Sequence, residues 1–286
     1  MFATKQAVAS DFGCASASYE GAARLQRQMG DAMLATITQP VTQGATVVDL
    51  GCGTGWYTRQ LAQRFGAHTI GVDLAPGMLA FAKAQSKALS KAPSKVLSKT
   101  PSKALGPETI QWLEADAERL PLADQSVDLI YSNLMIQWCH NPQGVLRECL
   151  RVLRPGGQLR VSTLLLGTLQ ELQQAWVLVD PHQKHVNGFI SAVDFAATTV
   201  EILPAAQWRS QMITLDYPTP MALMNELRQL GAGYKDIQRR KTATAPGRLK
   251  QMCQNYPQQP DGGIIASYHA GWLEWRKPVP TPLTGD

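Results

Sequence analysis

Thr46-Val47-Val48-Asp49-Leu50 runs without a break into Gly51-Cys52-Gly53-Thr54-Gly55, and few folds accommodate that order of residues. The β-branched apolar run favours a buried strand. Three glycines at alternate positions let the following turn adopt dihedrals closed to other residues and bring backbone close to a ligand. Trp56 to Phe65 then carries helical spacing. A strand, a glycine turn and a helix in that order open an α/β layer.

The same rhythm repeats along the chain. A strand from His68 to Val72 ends in Asp73, and a helix follows from about Pro76 to Gln85. Strand Thr109 to Leu113 leads to an acidic turn, Glu114 to Asp116, and then strand Val127 to Tyr131. A helix from Pro142 to Leu153 passes through Arg154-Pro155-Gly156-Gly157 into strand Gln158 to Thr163. Alternation at this spacing predicts a Rossmann-like, doubly wound, mostly parallel sheet with helices on both faces. Ahead of it, Ala3 to Phe12 and Leu25 to Ile37 read as N-terminal helices, the second closed by Pro40. Behind it, residues 164–205 read as mostly helical, and Trp208 to Leu215 and Ile264 to Leu273 as closing strands around a helix from Met221 to Leu230. The expectation is one domain: a helical cap at 1–43, a core at 44–165, a helical lid insertion and closing strands at 166–277, and a frayed tail at 278–286. With 286 residues, 44% hydrophobic and 17% charged, there is ample material for its core.

No apolar run reaches the roughly 18 residues of a membrane span, and the first 20 residues lack the basic and apolar blocks of a secretory signal. Five cysteines (14, 52, 139, 149 and 253) form no Cys-x-x-Cys pair, which suits reduced thiols, small buried side chains and a cytoplasmic location. The net charge of +5 suggests nucleic acid until its source is traced. Residues 86–105 read SKALSKAPSKVLSKTPSKAL, with Lys87, Lys91, Lys95, Lys99 and Lys103 and no acid, so the rest of the chain is neutral. That repeat, broken by Pro93 and Pro101, is expected as a solvated extended insert, and no nucleic-acid face is expected elsewhere.

Three acids end the first three strands. Asp49 lies just ahead of the glycine turn, where it would repel a diphosphate and hold an ammonium group. Asp73 follows 24 residues later, where a carboxylate can accept both ribose hydroxyls. Asp116, with Ala117, falls where an adenine amino group would lie. Trp56 occupies the position of the third glycine of a dinucleotide fingerprint and is expected to obstruct that packing. The combination suits a cationic adenosine ligand. His182-x-x-His185 lacks a third metal ligand and reads as polar lid, and His269 as a satisfied core histidine; no metal is expected. Arg228, Lys235, Arg239, Arg240, Lys241, Arg248 and Lys250 form a basic cluster, either a solvated face or a docking site for an acidic carrier protein or a phosphate.

The run Val47 to Gly55, Gly71-Val72-Asp73-Leu74-Ala75-Pro76-Gly77-Met78-Leu79, Ala115-Asp116-Ala117-Glu118-Arg119-Leu120-Pro121 and Arg151-Val152-Leu153-Arg154-Pro155-Gly156-Gly157 resembles, in that order, the class I S-adenosylmethionine-dependent methyltransferases. The resemblance implies that Gly51, Gly53 and Gly55 shape a methionine pocket and Asp73 holds the ribose. It also implies that Leu74 and Met78 flank adenine, and that Asp116 and Ala117 meet its edge. Lys5-Gln6-Ala7-Val8-Ala9, Phe12, Tyr19, Leu25-Gln26-Arg27-Gln28, Ser132 to Cys139, Thr163-Leu164, Gly167 to Trp176, Leu227 to Ala232 and Ser267-Tyr268-His269 are similar to one subfamily, the malonyl-acyl-carrier-protein O-methyltransferases of biotin synthesis. Gly188-Phe189 stands where an Arg-Phe pair is expected. This likeness implies S-adenosyl-L-methionine as methyl donor and the free carboxylate of a malonyl thioester as acceptor, presented by acyl carrier protein or coenzyme A to a monomeric enzyme. Tyr19, Asn133 and Gln137 are the candidates for positioning that anion, Asn133 also facing the donor, with Trp138 a pocket wall. Two other readings fit the core motifs: a methyltransferase for another small acceptor such as a quinone precursor, and a non-catalytic cofactor-binding regulator.

Overall fold

The computed structural model describes residues 3–38, 44–91, 110–236, 244–260 and 262–280. Its centre is a seven-stranded sheet: β1 (Thr46–Leu50), β2 (His68–Asp73), β3 (Ile110–Glu114), β4 (Val127–Asn133), β5 (Leu153–Leu164), β6 (Gln207–Tyr217) and β7 (Ile264–Arg276). The order is β3-β2-β1-β4-β5-β7-β6, parallel except that β7 runs antiparallel to both its neighbours. Period-two alternation sorts the central strands onto two faces. Val47, Leu129 and Tyr131 enter one buried cluster with Met29, Met33 and Leu61, whereas Val48, Leu50 and Ile130 enter another with Val145, Leu146 and Cys149.

Helix α3 (Trp56–Phe65) follows β1, α4 (Pro76–Lys91) follows β2, and α5 (Pro142–Val152) precedes β5. The start of α5 is written locally: Pro142 occupies the first turn and the Asn141 side chain accepts from Gly144 N at 2.9 Å. Two helices precede the sheet in the chain, the second packed on one of its faces. α1 (Lys5–Ala22) begins at Thr4, whose hydroxyl accepts from Ala7 N, and α2 (Arg24–Ala35) buries Leu25, Met29, Met33 and Leu34. After β5 come α6 (Gln170–Val177) and α7 (Ala192–Ile202), then α8 (Pro220–Gln229) and α9 (Pro246–Asn255) between the closing strands.

Several expectations need correction. α1 runs ten residues past Phe12, because Ala15 and Ala22 let it lie close to its neighbours. Residues 178–191 between α6 and α7 are not helical. α9 was not foreseen, since its sequence is polar and buries only Met252. The Ser-Lys repeat begins as helix: α4 continues through Ser86 to Lys91, favoured by Ala and Leu ahead of Pro93. Residues 92–109, and with them the rest of the repeat, lie outside the described residues. Cys14 is exposed, unlike buried Cys52 and Cys149; all five thiols are free. Among the described residues no helix is long and apolar enough to cross a membrane.

Candidate active site

The chain leaves β1 toward β2 on one side and returns to place β4 on the other, so the loops after these two strands diverge and leave a crevice at their carboxyl ends. Gly51, Gly53 and Gly55 all have positive φ (+77°, +52° and +75°), which bends the turn tightly enough for Gly51 N and Cys52 N to donate to Val72 O at 2.8 and 2.9 Å. Asp73 fixes the turn from below: Oδ2 accepts from Gly53 N and Oδ1 from Ala75 N, both at 2.8 Å. Burial raises the Asp73 carboxyl above its usual range, against the pull of these N–H bonds.

The central cavity takes in Tyr19, Gly51, Gly53, Asp73, Leu74, Met78, Asp116, Ala117, Asn133 and Gln137, all predicted from sequence. Asp49 lies in a smaller adjoining cavity with Cys52, Thr54 and Trp56. Gly55 lines neither. A Cβ there would fall 2.3 Å from the Trp112 ring, so Gly55 permits close packing against β3. Trp56 lines the smaller cavity and is 38% exposed, with the Arg27 guanidinium over its ring at 4.4 Å.

Asp116 is held by Lys5, which sequence reasoning did not single out as a site residue. Lys5 Nζ lies 2.7 Å from Asp116 Oδ2 and 2.7 Å from Glu118 Oε2, while Asp116 Oδ1 accepts from Glu118 N at 3.0 Å. Burial alone would raise the Asp116 carboxyl, but these bonds bring it below its usual value. The contact fastens the start of α1 to this end of the cavity. Asn133 and Gln137 are each half engaged. Asn133 donates to Gln26 O at 2.9 Å and accepts from Ser162 Oγ at 2.6 Å, and Gln137 donates to Leu134 O at 2.9 Å and accepts from Thr163 Oγ1 at 3.3 Å. The Tyr19 hydroxyl makes no hydrogen bond within the described residues, and burial, with Asp73 nearby, keeps it protonated. Tyr268 differs. Tyr217 donates to Glu226 Oε1 at 2.7 Å, so Tyr268, 3.3 Å from Tyr217 Oη, spends its proton on that oxygen.

Asp49 is 2% exposed and accepts from Thr58 Oγ1 at 2.6 Å. Burial pushes its carboxyl up to about 7; the Thr58 bond opposes the rise and Asp73 adds to it. A carboxyl raised in the fold contributes stability that is complete below its unfolded value, near 3.9, and is lost as pH climbs through about 7. The melting temperature of the ligand-free protein should therefore fall relative to Asp49→Asn between pH 5 and pH 8. A constant difference across that range in thermal scans refutes it.

The remaining clusters resolve differently from one another. His185 stacks on Trp176 at 3.9 Å and meets Asp180 at 3.3 Å, His182 is exposed, and no metal-binding group occurs among the described residues. His269 is half-buried, with Nδ1 2.9 Å from Leu166 O. Of the basic cluster, Lys235 is buried against Asp11 and so leaves the solvated face, whereas Arg248 pairs with Asp180 at 3.4 Å and stays 42% exposed; Arg239, Arg240 and Lys241 lie outside the described residues.

A glycine turn and acids at the carboxyl ends of the first strands of this sheet mark a methyltransferase that uses S-adenosylmethionine. The family model for the methyltransferase domain matches residues 48–161. The malonyl-[acyl-carrier protein] O-methyltransferase of Hahella chejuensis is 34% identical over 269 residues, covering 93% of this chain and 88% of the relative. The biotin biosynthesis bifunctional protein BioHC of Cellvibrio japonicus is 34% identical over 96% of this chain and half of its own length. In fold, the chain is similar to the Bacillus subtilis YcgJ protein, with TM-score 0.60 and 17% identity over 89% of this chain and all of that one. The chain belongs to the malonyl-[acyl-carrier protein] O-methyltransferase family.

Proposed function

We propose that the chain methylates the free carboxylate of a malonyl thioester carried by acyl carrier protein, at the entry to biotin synthesis. The observation that carries this is the extent of the family likeness. It spans 93% of the chain, far past the methyltransferase-domain match at 48–161, and so takes in the lid and closing strands that wall the acceptor side. The same reading makes it a cytoplasmic monomer with no nucleic-acid or membrane partner.

In this reading Asp73 holds the ribose hydroxyls, Leu74 and Met78 the adenine faces, Asp116 and Ala117 its edge, and Asp49 the ammonium group, with Gly51 and Gly53 giving room. These groups fit the ligand's chemistry: acids meet its hydroxyls and its positive charge, and apolar side chains meet its base. When bound, S-adenosylmethionine supplies a methyl group already activated by positive sulfur. A malonyl carboxylate is ionised at neutral pH, so the protein needs no general base. Its work is to orient the carboxylate and strip it of water. Leu164, Leu169, Phe189 and Leu227 form the apolar wall on this side of the cavity. Lys5, held by Asp116 and Glu118, is the one cation lining it among the described residues. With Gly188 exposed where an arginine was expected, orientation passes to neutral donors, the Tyr19 hydroxyl and the remaining amide N–H groups of Asn133 and Gln137.

A second groove shares Leu169, Asn187, Leu227 and Ala232 with the central cavity and reaches outward past Ser18, Trp176 and Arg228. It suits a long pantetheine arm whose carrier stays outside. Labelled methyl transfer should therefore run fastest with malonyl-carrier protein, slower with malonyl-coenzyme A and at least about a hundredfold slower with free malonate, which forgoes the arm's binding energy. Equal rates with free malonate, or none with either thioester, refute the assignment.

A further inference from the structure

The smaller cavity beside Asp49 has one cation in its wall among the described residues, Arg27. The guanidinium itself reaches that wall. Its Nη2 donates to Glu20 O at 2.6 Å and its Cζ lies 4.4 Å from the centroid of the Trp56 ring, and both Glu20 and Trp56 line the same cavity. A tryptophan face and one backbone carbonyl fix the plane of the group without cancelling its charge. The two acids in the wall are engaged elsewhere, Glu20 with Arg59 at 3.2 Å and Asp49 with Thr58 at 2.6 Å. Arg27 is half-buried, so its charge carries a desolvation cost that a bound anion would offset.

We propose that the Arg27 guanidinium, held flat on Trp56, binds the carboxylate of the donor's amino-acid end. The inference rests on the placement of that end in this cavity, with its ammonium on Asp49. Ammonium and carboxylate sit on one carbon, so a pocket that takes the first must find donors for the second. A planar guanidinium offers paired N–H groups that match a carboxylate, and charge-assisted bonds of this kind are strong where water is displaced. Asp49 and Arg27 then read the two charges of the amino-acid end from opposite signs, and a donor lacking the carboxylate leaves Arg27 facing an ammonium group.

The test is calorimetric titration, without acceptor, of S-adenosylmethionine, its decarboxylated analogue and methylthioadenosine, which lacks the amino-acid end altogether. The parent protein should bind S-adenosylmethionine at least about tenfold more tightly than the decarboxylated analogue. Arg27→Met should weaken S-adenosylmethionine about tenfold and leave the analogue within about twofold of the parent, or tighter, so the preference disappears. Arg27→Lys keeps the charge and should retain more of the preference than Arg27→Met. Asp49→Asn should weaken both ligands that carry an ammonium group and spare methylthioadenosine. If Asp49→Asn spares all three ligands, the amino-acid end does not lie in this cavity and the reading beneath the proposal fails. If Asp49→Asn behaves as expected, the proposal alone is overturned by equal losses of S-adenosylmethionine and analogue in Arg27→Met, by no loss of either, or by no preference left in Arg27→Lys.

Discussion

Asp73→Ala should lower the affinity for S-adenosylmethionine about a hundredfold, or about 2.7 kcal/mol. The Asp73 carboxylate acts twice in this site. Its oxygens accept from Gly53 N and Ala75 N, holding the glycine turn and the start of α4 in register, and each oxygen keeps a lone pair for a ribose hydroxyl. Removing it leaves two N–H groups without partners and withdraws two charge-assisted bonds to ligand, each worth about 1.5–3 kcal/mol before the cost of desolvation. Asp73→Asn should fall between, since the amide keeps one oxygen but turns an NH2 group toward a backbone donor. Unchanged affinity in Asp73→Ala by calorimetry would remove Asp73 from the ribose assignment.

Gly77→Val should open the adenine end of the cavity and weaken S-adenosylmethionine binding at least about tenfold, while Gly13→Ala should not. The two glycines face each other where α1 crosses α4. A Cβ on Gly77 would come within 2.9 Å of Gly13 Cα and Gly13 O, atoms of a helix backbone that cannot turn aside. A Cβ on Gly13 meets Gly77 at 3.6 Å, ordinary contact, and replacing glycine inside a helix gains about 0.5–1 kcal/mol. Overpacking at Gly77 should cost about 1–3 kcal/mol and shift α1, and with α1 go Lys5, Phe12 and Tyr19 from the cavity wall. Far-ultraviolet circular dichroism should show the sheet and helices retained. Equal binding by the Gly77→Val, Gly13→Ala and parent proteins would mean that α1 does not cap the ligand.

The order β1, glycine turn, α3, β2 was readable because each step is local. Val47 and Val48 prefer strand, glycines at 51 and 53 permit the positive φ that the turn adopts, and Asp73 closes the next strand where parallel topology brings its end beside that turn. The parallel class followed from alternation alone, and even the antiparallel pair β6 and β7 was legible as two β-rich runs. Less of the periphery could be read. α9 has too few apolar residues to show a stripe, and the early repeat of Ser-Lys units extends α4 because its first six residues contain no proline.

The residues of the chain thus determined by themselves the parallel core, the acids at its strand ends and the turn between them, since these depend on dihedral preference and a repeat of two or 3.6 residues. Which atoms meet was decided only in three dimensions. Lys5 reaches Asp116 across 111 positions, Gly55 yields its space to Trp112, and Asn133 spends its amide on the Gln26 carbonyl 107 positions away. Such partners are selected by close packing, where a side chain's direction is fixed by neighbours remote in the chain. That is why Gln26 stood in the sequence as one polar residue of a helix, while the fold left its Oε1 buried without a hydrogen-bond partner.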